Sequence, residues 1–265
     1  MAKCKFNFSR KDLLFTIAAI VFALANFAAV GSRGRSRAKE AVCLSNMRQW
    51  GATFDSYTRD HNGYFNRGWD VGETTLWMNA LRPYYGDRFG LLLCPTASRA
   101  MVSPGDWGPF RAAFRDCDLP GGGSYRYTFS YSINSWTNYM TRDRGSRLER
   151  CFWKNVFGVQ GKEKIPVFAD ATWHDAWPRH TDEPPKYPGD FGSGTSMEMN
   201  HFCIDRHNGG ISCLFMDWSA RKVGPKELWT LKWHREFDNV TGPWTSGGGV
   251  QPTMWPVWMR DFKDY

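Results

Sequence analysis

Histidine and aspartate crowd the last third of the chain. Five of the six histidines, His174, His180, His201, His207 and His234, follow residue 170 and stand among Asp170, Asp175, Asp205 and Asp217. Imidazoles and carboxylates together can hold a divalent cation or relay protons, so a metal or hydrolytic site could be drawn from them. Their spacing matches no ligand motif, however, and His207 is expected to cap or hydrogen-bond the hairpin that carries Asp217. The seven cysteines (Cys4, Cys43, Cys94, Cys117, Cys151, Cys203 and Cys213) show no CxxC pair and no Cys/His spacing for zinc. No G-x-S-x-G, HExxH or phosphate-cradling glycine loop occurs, so nothing in the sequence argues for an enzyme. Fourteen tryptophans could stack on sugar rings, but aromatic side chains at this density more often build core and subunit interface.

These groups need elements to position them. From Leu13 to Val30 the chain is uncharged, with only Thr16 and Asn26 polar, and as a helix it would run about 27 Å, close to a bilayer's hydrocarbon thickness. Beyond Gly31 and Gly34, which each weaken a helix by about 1 kcal/mol relative to alanine, Cys43, Met47, Trp50, Phe54 and Tyr57 recur at helical spacing. That stripe predicts a helix packed on a globular body and ending near Asp60-His61-Asn62-Gly63, with Gly63 as left-handed cap. Bending or local melting is expected at the two glycines. A short helix is predicted over Thr75–Leu81, stopped by Arg82-Pro83. Strands are predicted at Leu91–Pro95, at Tyr125–Ile133 with aromatic residues in alternation, at Ile165–Asp170, and at Gly210–Met216 with Ala220–Val223 as its hairpin mate. Pro225–His234 fits a short helix with proline in its first turn.

At 265 residues, 42% hydrophobic and 23% charged, the chain can bury a core without staples, and disordered or collagenous classes are excluded. The net charge of +8 is concentrated in the first forty residues, where Lys3, Lys5, Arg10, Lys11, Arg33, Arg35, Arg37 and Lys39 face only Asp12 and Glu40. The rest is nearly neutral, which argues against a nucleic-acid track and for basic flanks around the apolar run. A cleaved secretory signal ending at Ala23-Leu24-Ala25 is the competing reading of that run.

Phe8-Ser9-Arg10-Lys11-Asp12-Leu13-Leu14, the apolar run and Cys43-Leu44-Ser45-Asn46-Met47-Arg48-Gln49 resemble the N-terminus of type IV pilin-like proteins and type II secretion pseudopilins. His207, nine residues and Asp217 resemble the His-x9-Asp-Gly signature found near the C-terminus of many of them, with Trp218 in place of glycine. A tight turn with positive φ is therefore disfavoured there, and a wider turn is expected.

The resemblance implies an α+β, pilin-like fold: a leader-like basic segment over 1–7, a helix over 8–62 whose 13–30 half spans a membrane, and a head over 63–265 built on an antiparallel sheet, with a Trp-rich extension. It implies processing between Asn7 and Phe8, followed by methylation, and assembly through Asp12, Leu13, Leu14, Phe15, Ile17, Ile20, Val21, Phe22 and Leu24. The partners implied are other copies in a helical filament, the inner-membrane pilus or secretion machinery, and membrane lipid, with no nucleic acid. The expected location is the bacterial inner membrane, then a cell-surface or periplasmic filament. No cofactor is expected; calcium, which related pseudopilins hold in a C-terminal loop, has Asp170 and Asp217 as its candidates. Cys4 would stay cytoplasmic or be removed, leaving Cys43, Cys94, Cys117, Cys151, Cys203 and Cys213 as disulfide candidates. Cys43 with Cys94 is the first pairing to consider, because the helix stripe and the strand after it should meet. The function implied is a structural subunit of a type IV pilus-like or pseudopilus filament. The alternative is a membrane-anchored glycan-binding protein that does not polymerise.

Overall fold

The computed structural model describes residues 10–102, 108–190 and 197–265. Its dominant element is α1 (Arg10–Asp60), which continues through Gly31 and Gly34 without the expected interruption. A Cβ at either glycine would meet nothing within 4 Å, so no neighbour forces the backbone aside there. The helix stops where the sequence predicts. Asn62 and Gly63 take φ of 54° and 84°, and Gly63 N donates to Thr58 O at 2.7 Å. Gly63 has no substitute, because a Cβ would sit 2.5 Å from Asn155 Oδ1.

The expected membrane-spanning half is corrected. Among the described residues no helix is long and apolar enough to cross a membrane. The expectation of a membrane-spanning helix anchored in the bacterial inner membrane falls with it. The side chains of Asp12 and Leu24, and the whole of Cys4, Asn7 and Phe8, lie outside the described residues.

The fold is α+β. Two short helices, α2 (Trp77–Ala80) and α3 (Arg82–Tyr85), replace the single predicted one. Arg82-Pro83 opens the second instead of only ending the first, since proline is tolerated where the N–H has no helical partner. A three-stranded sheet contains β1 (Arg99–Ala100) parallel to β2 (Arg111–Asp118), which pairs antiparallel with β3 (Ser124–Phe129). A five-stranded sheet contains β4 (Tyr131–Asn134), β5 (Pro166–Asp170), β6 (Asp175–Ala176), β7 (Ile211–Phe215) and β8 (Ala220–Val223), in the order β6-β4-β5-β7-β8. Only β4 and β6 run parallel in it, so the expected antiparallel sheet is in fact mixed.

The predicted Tyr125–Ile133 strand is thus two strands in two sheets. Ser130 breaks it: its N–H turns to Leu92 O at 3.0 Å and its carbonyl accepts from Ala171 N at 3.0 Å. Leu91–Pro95 is not a strand either, because Phe89–Leu92 winds into a 3-10 turn. Pro225–His234 shortens to a 3-10 turn over Lys226–Thr230.

The helix stripe becomes the core. Cys43, Met47, Trp50, Phe54 and Tyr57 are buried against β5, β7 and β8. Trp50 is central, its ring 4.9 Å from Phe168, 5.2 Å from Tyr85 and 5.4 Å from Trp77, while its Nε1 donates to Leu91 O at 2.9 Å. Trp50→Ala is expected to cost about 3–5 kcal/mol by leaving a cavity in that cluster, read as a shifted urea midpoint followed by circular dichroism.

Candidate functional site

Four side chains from separate parts of the chain meet beside α1. Cys43 comes from the helix stripe, Cys94 from the turn after Phe89–Leu92, Asp170 from the end of β5, and His207 from the loop before β7. All are buried, and their ligand atoms lie within 4.8 Å of one another. Cys43 Sγ is 3.4 Å from Asp170 Oδ2, Cys94 Sγ is 3.3 Å from His207 Nε2, and His207 Nε2 is 3.2 Å from Asp170 Oδ2.

A carboxylate without water must be compensated. Asp170 is fully buried, yet it lies well below the usual carboxylate range. Burial would raise it, but the His207 hydrogen bond, the charges of Arg206 and His207, and the Ser212 N–H outweigh burial. Ser212 N donates to Oδ2 at 2.7 Å and Arg206 Nη1 to Oδ1 at 3.1 Å. Arg206 is itself fixed by carbonyls: Nη1 to Ser130 O at 2.5 Å, Nη2 to Ala171 O at 2.8 Å and Nε to Pro109 O at 2.5 Å.

The thiols are polarised in opposite senses. Burial, together with the Cys94 hydrogen bond and the Asp170 charge, pushes the Cys43 thiol far up. Burial opposes charge on Cys94 too, but its hydrogen bonds with Cys43 and His207 bring it down to about 6. His207 rises to about 9 because its hydrogen bonds to Asp170 and Cys94 outweigh burial. A thiolate beside an imidazolium is the pair that nucleophilic cysteines use. Here the thiol of Cys94 is 0% exposed, so the sulfur has no surface to offer a substrate.

The positions expected from sequence divide. His207 does bind the hairpin through its backbone, where its N–H donates to Gly210 O at 3.0 Å, but its side chain turns to Asp170 and Cys94. Asp217 stands at the far end of that hairpin and caps its own turn, accepting from Ser219 N at 2.9 Å. Asp170 and Asp217 therefore do not form one calcium site. In the β5–β7 register Ala169 faces Cys213 and Pro166 faces Phe215, which sets the two carboxylates at opposite ends of the strand pair.

Trp218 departs from expectation more instructively. The turn is the wider, three-residue kind, with Phe215 N bonded to Ser219 O and Trp218 N to Phe215 O, but Trp218 does take positive φ, 66°. Its indole offsets the backbone cost by stacking on Phe54 at 10° between planes and donating to Asp55 Oδ1 at 3.0 Å.

All six cysteines with described thiols are free. Cys43 and Cys94 are brought together as expected, unbonded, while Cys117, Cys151, Cys203 and Cys213 are dispersed through the core. The cluster itself was not foreseen. Each member was visible, but 51, 76 and 37 residues separate successive donors, and only strand register and the turn at Ser130 close those gaps.

No family model, no curated protein and no solved structure matches the chain.

Two measurements probe the site's surroundings. Arg206→Met strips Asp170 of its charge partner and is expected to cost about 3–5 kcal/mol in urea unfolding at pH 7. Buried imidazoles weaken the fold in acid, and His234 is one of them with His174 and His201: burial and the nearby His180 hold His234 down to about 3, against about 6.5 in an unfolded chain. Its folded value is depressed, so its contribution is present above about pH 6.5 and is lost as pH falls towards 3. Unfolding free energy should drop by about 2 kcal/mol from this group between pH 7 and 4.5, and His234→Phe should flatten that slope.

Proposed function

We propose that the protein is a self-assembling filament subunit, of the type IV pilus or type II secretion pseudopilus kind that both ends of its sequence resemble, joined to other copies through the first part of α1. One observation carries this reading. Leu13, Leu14, Phe15, Ile17, Ile20, Val21 and Phe22 are 49–77% exposed on a helix whose continuation is buried in the head. They spread over more than half of the helix's circumference, and an exposed apolar surface that broad is one that something else covers. Burying each such side chain stabilises by about 1.5–3 kcal/mol, so the helix drives association strongly. Identical helices side by side supply that cover without any further component.

Basic residues separate the rod from the head. Arg33, Arg35, Arg37 and Lys39 are exposed, and the head bonds to α1 at Ser36, where Asn208 Nδ2 donates to Ser36 Oγ at 3.0 Å, and at Glu40, which pairs with Lys222 at 3.3 Å. A bundled rod with heads outside it is the arrangement this division suits. The glycan-binding alternative lacks its platform: Trp50, Trp77, Trp136, Trp229, Trp233 and Trp255 are at most 2% exposed, and no described tryptophan is open to solvent over most of its ring.

Electron microscopy of the purified full chain tests the reading. Fibres are expected from the native protein. Leu14→Lys with Val21→Lys should abolish them without changing the head's unfolding midpoint. A native chain that stays monomeric in size-exclusion chromatography at high concentration would refute it.

A further inference from the structure

The spacing of the four buried donors is that of a coordination sphere. A tetrahedral ion with ligand bonds of about 2.0–2.3 Å sets its donors about 3.3–3.8 Å apart. Three of the six donor pairs measure 3.2, 3.3 and 3.4 Å, close to the lower end of that range, and all six lie within 4.8 Å, so small side-chain shifts close the sphere. Two sulfurs, one imidazole nitrogen and one carboxylate oxygen are a soft-to-borderline set, which excludes calcium and magnesium and suits zinc.

The surroundings are organised as a metal's outer shell would be. Asp170 is oriented by Ser212 N and Arg206, as a ligating carboxylate requires. Tyr131 OH lies 3.3 Å from Cys43 Sγ and accepts from Asn46 Nδ2 at 3.2 Å, which leaves its own hydrogen to donate to the sulfur. Charge also closes: two thiolates and a carboxylate balance a divalent ion and the Arg206 guanidinium, so no net charge is buried.

We propose that Cys43, Cys94, Asp170 and His207 bind one zinc ion that fastens α1 to the head. Binding sends the thiol protons and any imidazolium proton to solvent, and neither sulfur changes oxidation state. The ion joins the helix to three segments that are otherwise linked to it only by packing and single hydrogen bonds. The site does not depend on filament assembly and is tested separately from it.

The full chain, purified without chelator and with thiols kept reduced, is expected to carry about one zinc by elemental analysis. Replacement by cobalt should give a thiolate-to-cobalt charge-transfer band together with the intense visible bands of a tetrahedral site. Cys94→Ser and His207→Ala should lose both signals, while Cys151→Ser, altered away from the cluster, keeps them. If those two variants do not fold, the native chain decides: chelator should lower its melting temperature by roughly 10 °C, restored by zinc and not by calcium. Reduced native protein that takes up neither zinc nor cobalt overturns the proposal. So does an intact mass showing Cys43 and Cys94 joined as a disulfide, or retention of the cobalt bands in a folded Cys94→Ser.

Discussion

A single buried carboxylate organises the head. Asp170 ends the middle strand of the larger sheet, shut off from bulk solvent, and the groups that compensate it come from three parts of the chain: Arg206 and His207 from the loop before β7, Ser212 from β7, Cys43 from α1. An unpaired charge in such a place costs several kcal/mol, more than most single contacts return. Folding is therefore constrained to bring these segments together at once. The guanidinium extends the constraint, because its remaining donors fix Ser130, Ala171 and Pro109. That explains why the long aromatic strand breaks at Ser130: its carbonyl, taken up by Arg206 and Ala171, is not free to continue a ladder.

The helix beside this cluster lives under two regimes. From Cys43 onward the stripe is buried on the sheet, and its helical form is enforced by tertiary contact. Before it, the described apolar side chains from Leu13 to Phe22 are exposed, so burial in the head does not enforce the helix there. Isolated helices are marginal in water, and the proposed association would cover these exposed side chains and steady the helix that carries them.

What could be read from sequence followed from period and local chemistry. The 4-3-4-3 stripe, the cap at Gly63, β5 and the β7–β8 hairpin are each dictated by neighbouring residues, and each appears where expected. What could not be read was set by distant partners. The tendency of Leu91–Pro95 to extend yields to Ser130, whose hydroxyl takes the Cys94 N–H at 2.6 Å. Positive φ looked disfavoured at Trp218, but its cost is offset by a stacked Phe54 and by Asp55, which lie 164 and 163 positions away along the chain. The apolar run reads as a membrane span by hydropathy alone, and that reading does not survive in the described structure. The four-donor cluster belongs to the same class, since no spacing rule reports on side chains that meet only after two sheets have formed.

Position gives the cluster its mechanical meaning. Among the described side chains of α1, Cys43 is the first that is fully buried, so the four donors sit at the seam where the exposed rod becomes the packed helix. A helix under load peels from the end of its contact, and the stripe behind Cys43 can stay covered only while that first contact persists. Contacts deeper in the interface, such as the Trp50 cluster, supply more of the stability but feel the load only after the seam has opened. Arg206 and His207 brace the seam from the head side, while Ser36 and Glu40 touch the head just ahead of it, Ser36 through an exposed hydrogen bond and Glu40 through a half-buried ion pair. A pull on the exposed part of α1 would therefore reach these few buried polar groups before it reached the large aromatic core.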